Sequence, residues 1–106
     1  DFTHLQMLLA HLLKLHLGRE HKPHDFAQTG RGWWLTVREQ RVRVQAKLAR
    51  SGTLRAELAQ ALEEAYAAAR LGAARDLPID ETLVSATCPW TAEEVLEASG
   101  FAPPVA

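Results

Sequence analysis

Only one cysteine, Cys88, occurs among 106 residues. That excludes an intramolecular disulfide and a cysteine-built zinc site, and it fits a reducing, cytoplasmic setting. Aromatic residues are also scarce, at 7% of a sequence that is 47% hydrophobic. The apolar weight therefore rests on leucine and alanine, which are strong helix formers. No run is long enough to cross a bilayer. The longest, "LQMLLAHLLKLHL", carries two histidines and a lysine and falls short of the roughly 20 apolar residues a span requires. A signal peptide, internal repeats and low-complexity stretches are all missing. The chain opens on Asp1, which suggests a processed start or a piece of a longer protein.

A net charge of −1 conceals a division. Residues 29–55 hold seven basic side chains and one acid, whereas residues 57–106 hold nine acids and two arginines. Such a chain can satisfy its charges internally when the two parts lie side by side. Its length suits one domain, residues 1–106, with one modest core.

Apolar spacing predicts three main helices. The first covers 2–17, where Phe2, Leu5, Leu9 and Leu12 form a stripe that Leu8, Leu13, Leu15 and Leu17 widen almost to a ring. Only His4, Met7, His11 and Lys14 make a narrower polar strip. Gly18 is the expected stop, followed by a polar connection over 19–32. A second helix is expected from Trp33 to Arg50, with Trp34, Val37, Arg41, Val44 and Leu48 on one face. Leu35, Val42, Ala46 and Ala49 form another stripe beside it, so this helix should be sandwiched. "SGT" at 51–53 breaks the chain, with Ser51 or Thr53 able to cap a third helix from Leu54 to Arg75.

A connection this short makes the second and third helices antiparallel neighbours. In that register Val37 faces Tyr66, and Trp34 faces Ala69 in the alanine-rich "AYAAARLGAA". The expected core includes Trp34, Val37, Leu48, Leu58, Leu62 and Tyr66, with both indoles buried against small side chains. Periodicity lapses after Pro78. A short C-terminal helix then follows in "TAEEVLEASG", where Thr91 and Glu94 make a capping box and Gly100 a stop. The fold class is thus all-α: a compact bundle of three main helices plus that short one.

No catalytic residue, cofactor site or metal site emerges. His4 and His11 share a helix face but lie roughly 10 Å apart along the axis. His21 and His24 could chelate only with a third ligand such as Asp25. Cys88 has no histidine within 60 positions, and Glu63–Glu64 and Glu93–Glu94 are adjacent pairs that diverge. "TGRG" follows no strand, so it is not a phosphate-binding loop. Arg41 sits on an apolar stripe and needs a partner, and the hairpin register points to Glu63 as the other half of a buried ion pair. Arg43, Lys47 and Arg50 remain outside as a candidate interaction surface, with Arg31, Arg38 and Arg55 nearby. Helix-borne arginines and aromatics can bind nucleic acid. Against that, the aromatics are committed to packing and the chain is slightly acidic, so a dock for an acidic protein is the better reading.

Four stretches in order carry a family likeness: "HLLK" at 11–14, "WWLTVREQR" at 33–41, "SGTLR" at 51–55 leading to "AYAAAR" at 65–70, and "CPWTAEEVLE" at 88–97. Together they resemble the bacterial domain-of-unknown-function family twenty-nine, over about Leu8 to Pro103. The resemblance implies a small all-helical protein with no established activity, cofactor or catalytic residue. It matches His11, Lys14, Trp34, Thr36, Arg41, Leu54, Tyr66 and Pro89 to the family's signature positions, with Gly52 where a proline is usual. It also implies that members carry a further helical segment ahead of the "HLLK" region. Without that segment, the greasy first helix could serve self-association. The expectation is a non-enzymatic bacterial interaction module with a protein partner. Nucleic-acid binding and an antitoxin-like regulatory role are the alternatives.

Overall fold

The computed structural model describes residues 2–96, among which there are helices and turns but no strand. Helix α1 runs Thr3–His21 and α2 runs Pro23–Arg50, with Lys22 the sole residue between them. Gly18 does not stop α1. It is buried inside the helix, facing Trp33. The break falls instead where proline dictates it, since a residue preceding proline is pushed out of the α region. Pro23 then serves as the first-turn residue of α2, where its missing N–H costs nothing, and Asp25 places a carboxylate at the positive end of the helix dipole. The polar stretch 19–32, expected as a connection, is therefore helical on both sides of Lys22, and α2 begins ten residues before Trp33.

Ser51 ends α2 and caps the next helix, its hydroxyl accepting the Leu54 N–H at 3.0 Å. Arg55 turns back to donate to the Leu48 carbonyl, closing the C-terminal end of α2. The expected third helix is divided at Glu57 into α3, Gly52–Ala56, and α4, Leu58–Asp76. A 3-10 turn at Glu81–Leu83 and the short helix α5, Ala92–Leu96, complete the order. The capping box at α5 forms reciprocally: Thr91 N donates to Glu94 Oε1 at 3.0 Å, and Glu94 N to Thr91 Oγ1 at 3.2 Å. Gly100 lies outside the described residues.

The central element is α1. It packs against α2 on one side and α4 on the other, and α5 touches all three, while α2 and α4 do not pack on each other. The antiparallel hairpin of α2 with the third helix is thus corrected: α1 lies between them. Its ring of Leu5, Leu8, Leu9, Leu12, Leu13 and Leu17 is buried. Helices α2, α4 and α5 cover that ring, while Met7 on the same helix stays 39% exposed.

The alanines of α4 explain how α1 can be so enclosed. Ala61, Ala65, Ala69 and Ala73 recur every fourth residue, and each is at most 3% exposed. A stripe of small side chains lets leucines interdigitate at close interaxial distance. The large-against-small logic holds, but the large partners are the leucines of α1 and not the tryptophans of α2.

Candidate interaction surface

Side chains of α2 and α4 hold the aperiodic segment 81–96 by its main-chain carbonyls. Arg41 on α2 donates from Nε to the Val95 carbonyl at 2.9 Å and from a terminal nitrogen to the Glu94 carbonyl at 3.3 Å. Gln45 donates to the Leu96 carbonyl at 3.2 Å. All three accepting carbonyls belong to α5, so a buried guanidinium and an amide tie that helix to α2. On α4, the Tyr66 hydroxyl donates to the Ser85 carbonyl at 2.6 Å, and Arg70 donates to the carbonyls of Val84 and Glu81 at 3.2 and 2.9 Å. Burial raises the Tyr66 phenol above its ordinary pKa and lowers that of the Arg41 guanidinium.

This replaces the expected Arg41–Glu63 ion pair. Glu63 sits exposed on α4, across α1 from Arg41, beside a groove of about 470 Å³ that Tyr66, Cys88 and Trp90 also line. The reason is topological, because the register that paired the two residues needed α2 and α4 in contact. Burial raises the Cys88 thiol above its ordinary pKa, and its Sγ bonds to the Trp90 carbonyl.

Of the expected core, Val37, Leu48, Leu62 and Tyr66 are buried, while Trp34 and Leu58 are half-buried against it. Trp34 does not meet Ala69. Its ring lies 5.8 Å from the Arg41 guanidinium carbon, a cation–π contact on the side of α2 that faces α5. Trp33, also half-buried, packs over Gly18. Neither indole is swallowed whole.

Two polar contacts inside the bundle carry no local sequence signal. The Lys14 ammonium, on an otherwise apolar helix, pairs with Asp76 at the end of α4 at 2.8 Å. That hydrogen bond holds the Asp76 carboxyl below its usual range. The pair opens onto a cleft of about 440 Å³ with Asp25, Thr29, Trp33 and Leu77. Gln40, 4% exposed, bonds to His4 Nδ1 at 2.7 Å, with the histidine as donor when the amide oxygen faces it. Burial pushes His11 below its ordinary pKa. No three acid, histidine or cysteine groups among the described residues are placed to hold a metal ion.

The outward face of α2 differs most from expectation. Leu35, Val42, Ala46 and Ala49, read as a second buried stripe, face solvent; Leu35 is 47% and Val42 70% exposed. Helical spacing places Arg31 and Arg38 along one flank of this stripe and Arg43 and Arg50 along the other, all exposed. Glu39 is the one acid among them, and Arg43 holds it at 3.6 Å. Arg50 also donates to the Ala46 carbonyl, and Lys47 turns into an end cleft beside Phe2 and Leu54. Arg43 and Arg50 thus belong to this face, and Lys47 borders it.

The architecture is that of a small all-helical protein built around a central leucine helix, with no helix of the described residues long and apolar enough to cross a membrane. Its sequence matches the model of the family described as "Domain of unknown function DUF29" over residues 2–101, and the chain belongs to that family. No curated protein and no solved structure matches it.

Proposed function

We propose that this chain is a non-enzymatic protein-interaction module of the bacterial cytoplasm, docking its partner on the outward face of α2. One observation carries the reading. An apolar stripe on the longest helix is left open to solvent and bordered by four arginines, with a single acid among them. Surface apolar residues scattered singly need no explanation, but apolar residues aligned on one helix face and bordered by one sign of charge mark a contact site.

Nucleic-acid binding is the second reading, favoured by the same four arginines. It is weakened by the overall charge of −1 and by the half-burial of Trp33 and Trp34 against the core, which limits the ring face left for stacking. A photo-crosslinking residue placed at Val42 in the source cell tests the reading, with the same residue at Ala68 on the exposed side of α4 as the control. Protein adducts at position 42 and none at 68 are expected. Nucleic acid at position 42, or nothing there, contradicts it.

A further inference from the structure

We infer that the partner presents an acidic amphipathic helix, laid along α2 between its two arginine flanks. The inference rests on the docking face just proposed and adds the chemistry of what it receives. Three features of that face define the occupant.

The first is shape. From Leu35 to Ala49 the stripe is large at one end and small at the other, with Leu35 and Val42 standing out and Ala46 and Ala49 lying low. Small residues let a second helix approach at about 8–10 Å, and the larger pair enters grooves between its side chains. The stripe spans about 21 Å at 1.5 Å per residue, so the complementary element is a helix of roughly four turns.

The second is charge. Arg31, Arg38, Arg43 and Arg50 against Glu39 leave the face at +3. Apart from the exposed Glu39–Arg43 contact, none of these arginines makes an ion pair among the described residues. A bound helix therefore carries carboxylates along both edges of a small apolar stripe, one row for each arginine flank. The same charge argues against a second copy of α2, which would bring eight arginines together with two acids.

The third is placement. The flank bearing Arg38 continues into Arg41 and Gln45, both already committed to the carbonyls of α5. The docking stripe is thus separate from the side chains that hold the fold, and it can be altered without dismantling the bundle.

The test is a titration of the purified chain with three synthetic peptides of about four turns. One has glutamates flanking a Leu/Ala stripe, one has the same composition scrambled to leave no apolar face, and one has lysine replacing each glutamate. Binding is read by anisotropy and by the peptide's gain in far-UV helicity. The acidic amphipathic peptide is expected to bind and become helical, and to weaken about tenfold between low and high salt as exposed charges are screened. Val42→Asp, and separately Arg38→Glu with Arg43→Glu, should each weaken binding at least about tenfold while leaving the melting temperature unchanged.

Equal binding of the scrambled peptide would reduce the effect to net charge and overturn the inference. So would binding unaffected by Val42→Asp, retention of duplex DNA in place of the peptide, or self-association abolished by Val42→Asp. If the acidic peptide fails to bind while position 42 still crosslinks to a protein in cells, the docking face stands and the acidic helix falls.

Discussion

Arg41 and Val95, 54 positions apart, are joined by a 2.9 Å hydrogen bond from the guanidinium to a carbonyl of α5. Arg41 is 6% exposed and Val95 fully buried. Removing the guanidinium leaves carbonyls without their donor and uncovers the Trp34 ring. Arg41→Ala should lower unfolding stability by about 2–3 kcal/mol in a denaturant titration. Arg41→Lys should recover only part of that, because a point donor cannot reach two carbonyls as a planar fork does. Equal stability for Lys and Arg at this position would mean the fork is unimportant.

Gly18 and Gly32 are predicted to respond in opposite directions to the same change. A Cβ on Gly18 would stand 3.0 Å from Cζ3 of Trp33, part of a rigid ring, whereas one on Gly32 meets nothing within 4 Å. Alanine gains about 1 kcal/mol of helix propensity over glycine at either site. At Gly18, overpacking of about 1–3 kcal/mol outweighs the gain. Gly18→Ala should therefore lower the melting temperature and Gly32→Ala should raise it. Trp33→Leu introduced with Gly18→Ala should recover stability relative to the sum of the two single changes.

Lys14 and Asp76 supply a pH-dependent contribution. The Asp76 carboxyl is held below its ordinary 3.8, chiefly by the hydrogen bond from Lys14. A depressed carboxylate stabilises the fold above its unfolded pKa, and that stability is lost as pH falls through the folded value. His11 is pushed below its ordinary 6.5 by burial. Its neutral form is favoured in the fold, so its contribution is present above 6.5 and declines as acid protonates it. The two act in the same direction in separate windows. His11→Gln should flatten the stability profile just below pH 6.5, and Asp76→Asn should flatten it only below 3.8. At neutral pH, Asp76→Asn should cost about 1–2 kcal/mol, less than a fully buried pair because its side chain is 39% exposed.

Leucines of α1 should matter more than the tryptophans of α2. Leu12, 1% exposed, lies among the α1 leucines enclosed between the outer helices, while Trp34 is half-buried. Leu12→Ala is expected to cost about 2–5 kcal/mol. Trp34→Ala should cost less despite its larger ring. The reverse order in matched urea titrations would restore the tryptophans to the centre.

Much of the helical content was legible because apolar spacing and capping chemistry are local. The Thr91–Glu94 box could be read directly, and of the two caps the spacing allowed, Ser51 and Thr53, Ser51 forms. Pro23 with Asp25 two residues later carried the true start of α2, but the glycines and charges of 19–32 outweighed it. The order of packing was not legible. Loop length made α2 and the third helix neighbours, although the near-continuous leucine ring of α1 already required cover on several sides. Pairing α2 directly with the third helix turned Arg41 toward Glu63, and the second apolar stripe put Leu35 and Val42 inside. Lys14–Asp76 joins residues 62 positions apart, and no periodicity couples them. Tyr66 and Arg41 stood out from the family likeness without a reason, which their bonds to Ser85 and Val95 now supply.

Disulfide trapping tests the central position of α1 most directly. Trp34→Cys and Ala69→Cys would be combined in a Cys88→Ser background, cooperative unfolding checked, and mild oxidant added. No Cα of α2 lies within 8 Å of one in α4 among the described residues, beyond the roughly 7 Å that a disulfide bridges. The account predicts that both thiols stay free in the folded protein. Rapid, complete bridging would place α2 against α4 and contradict it.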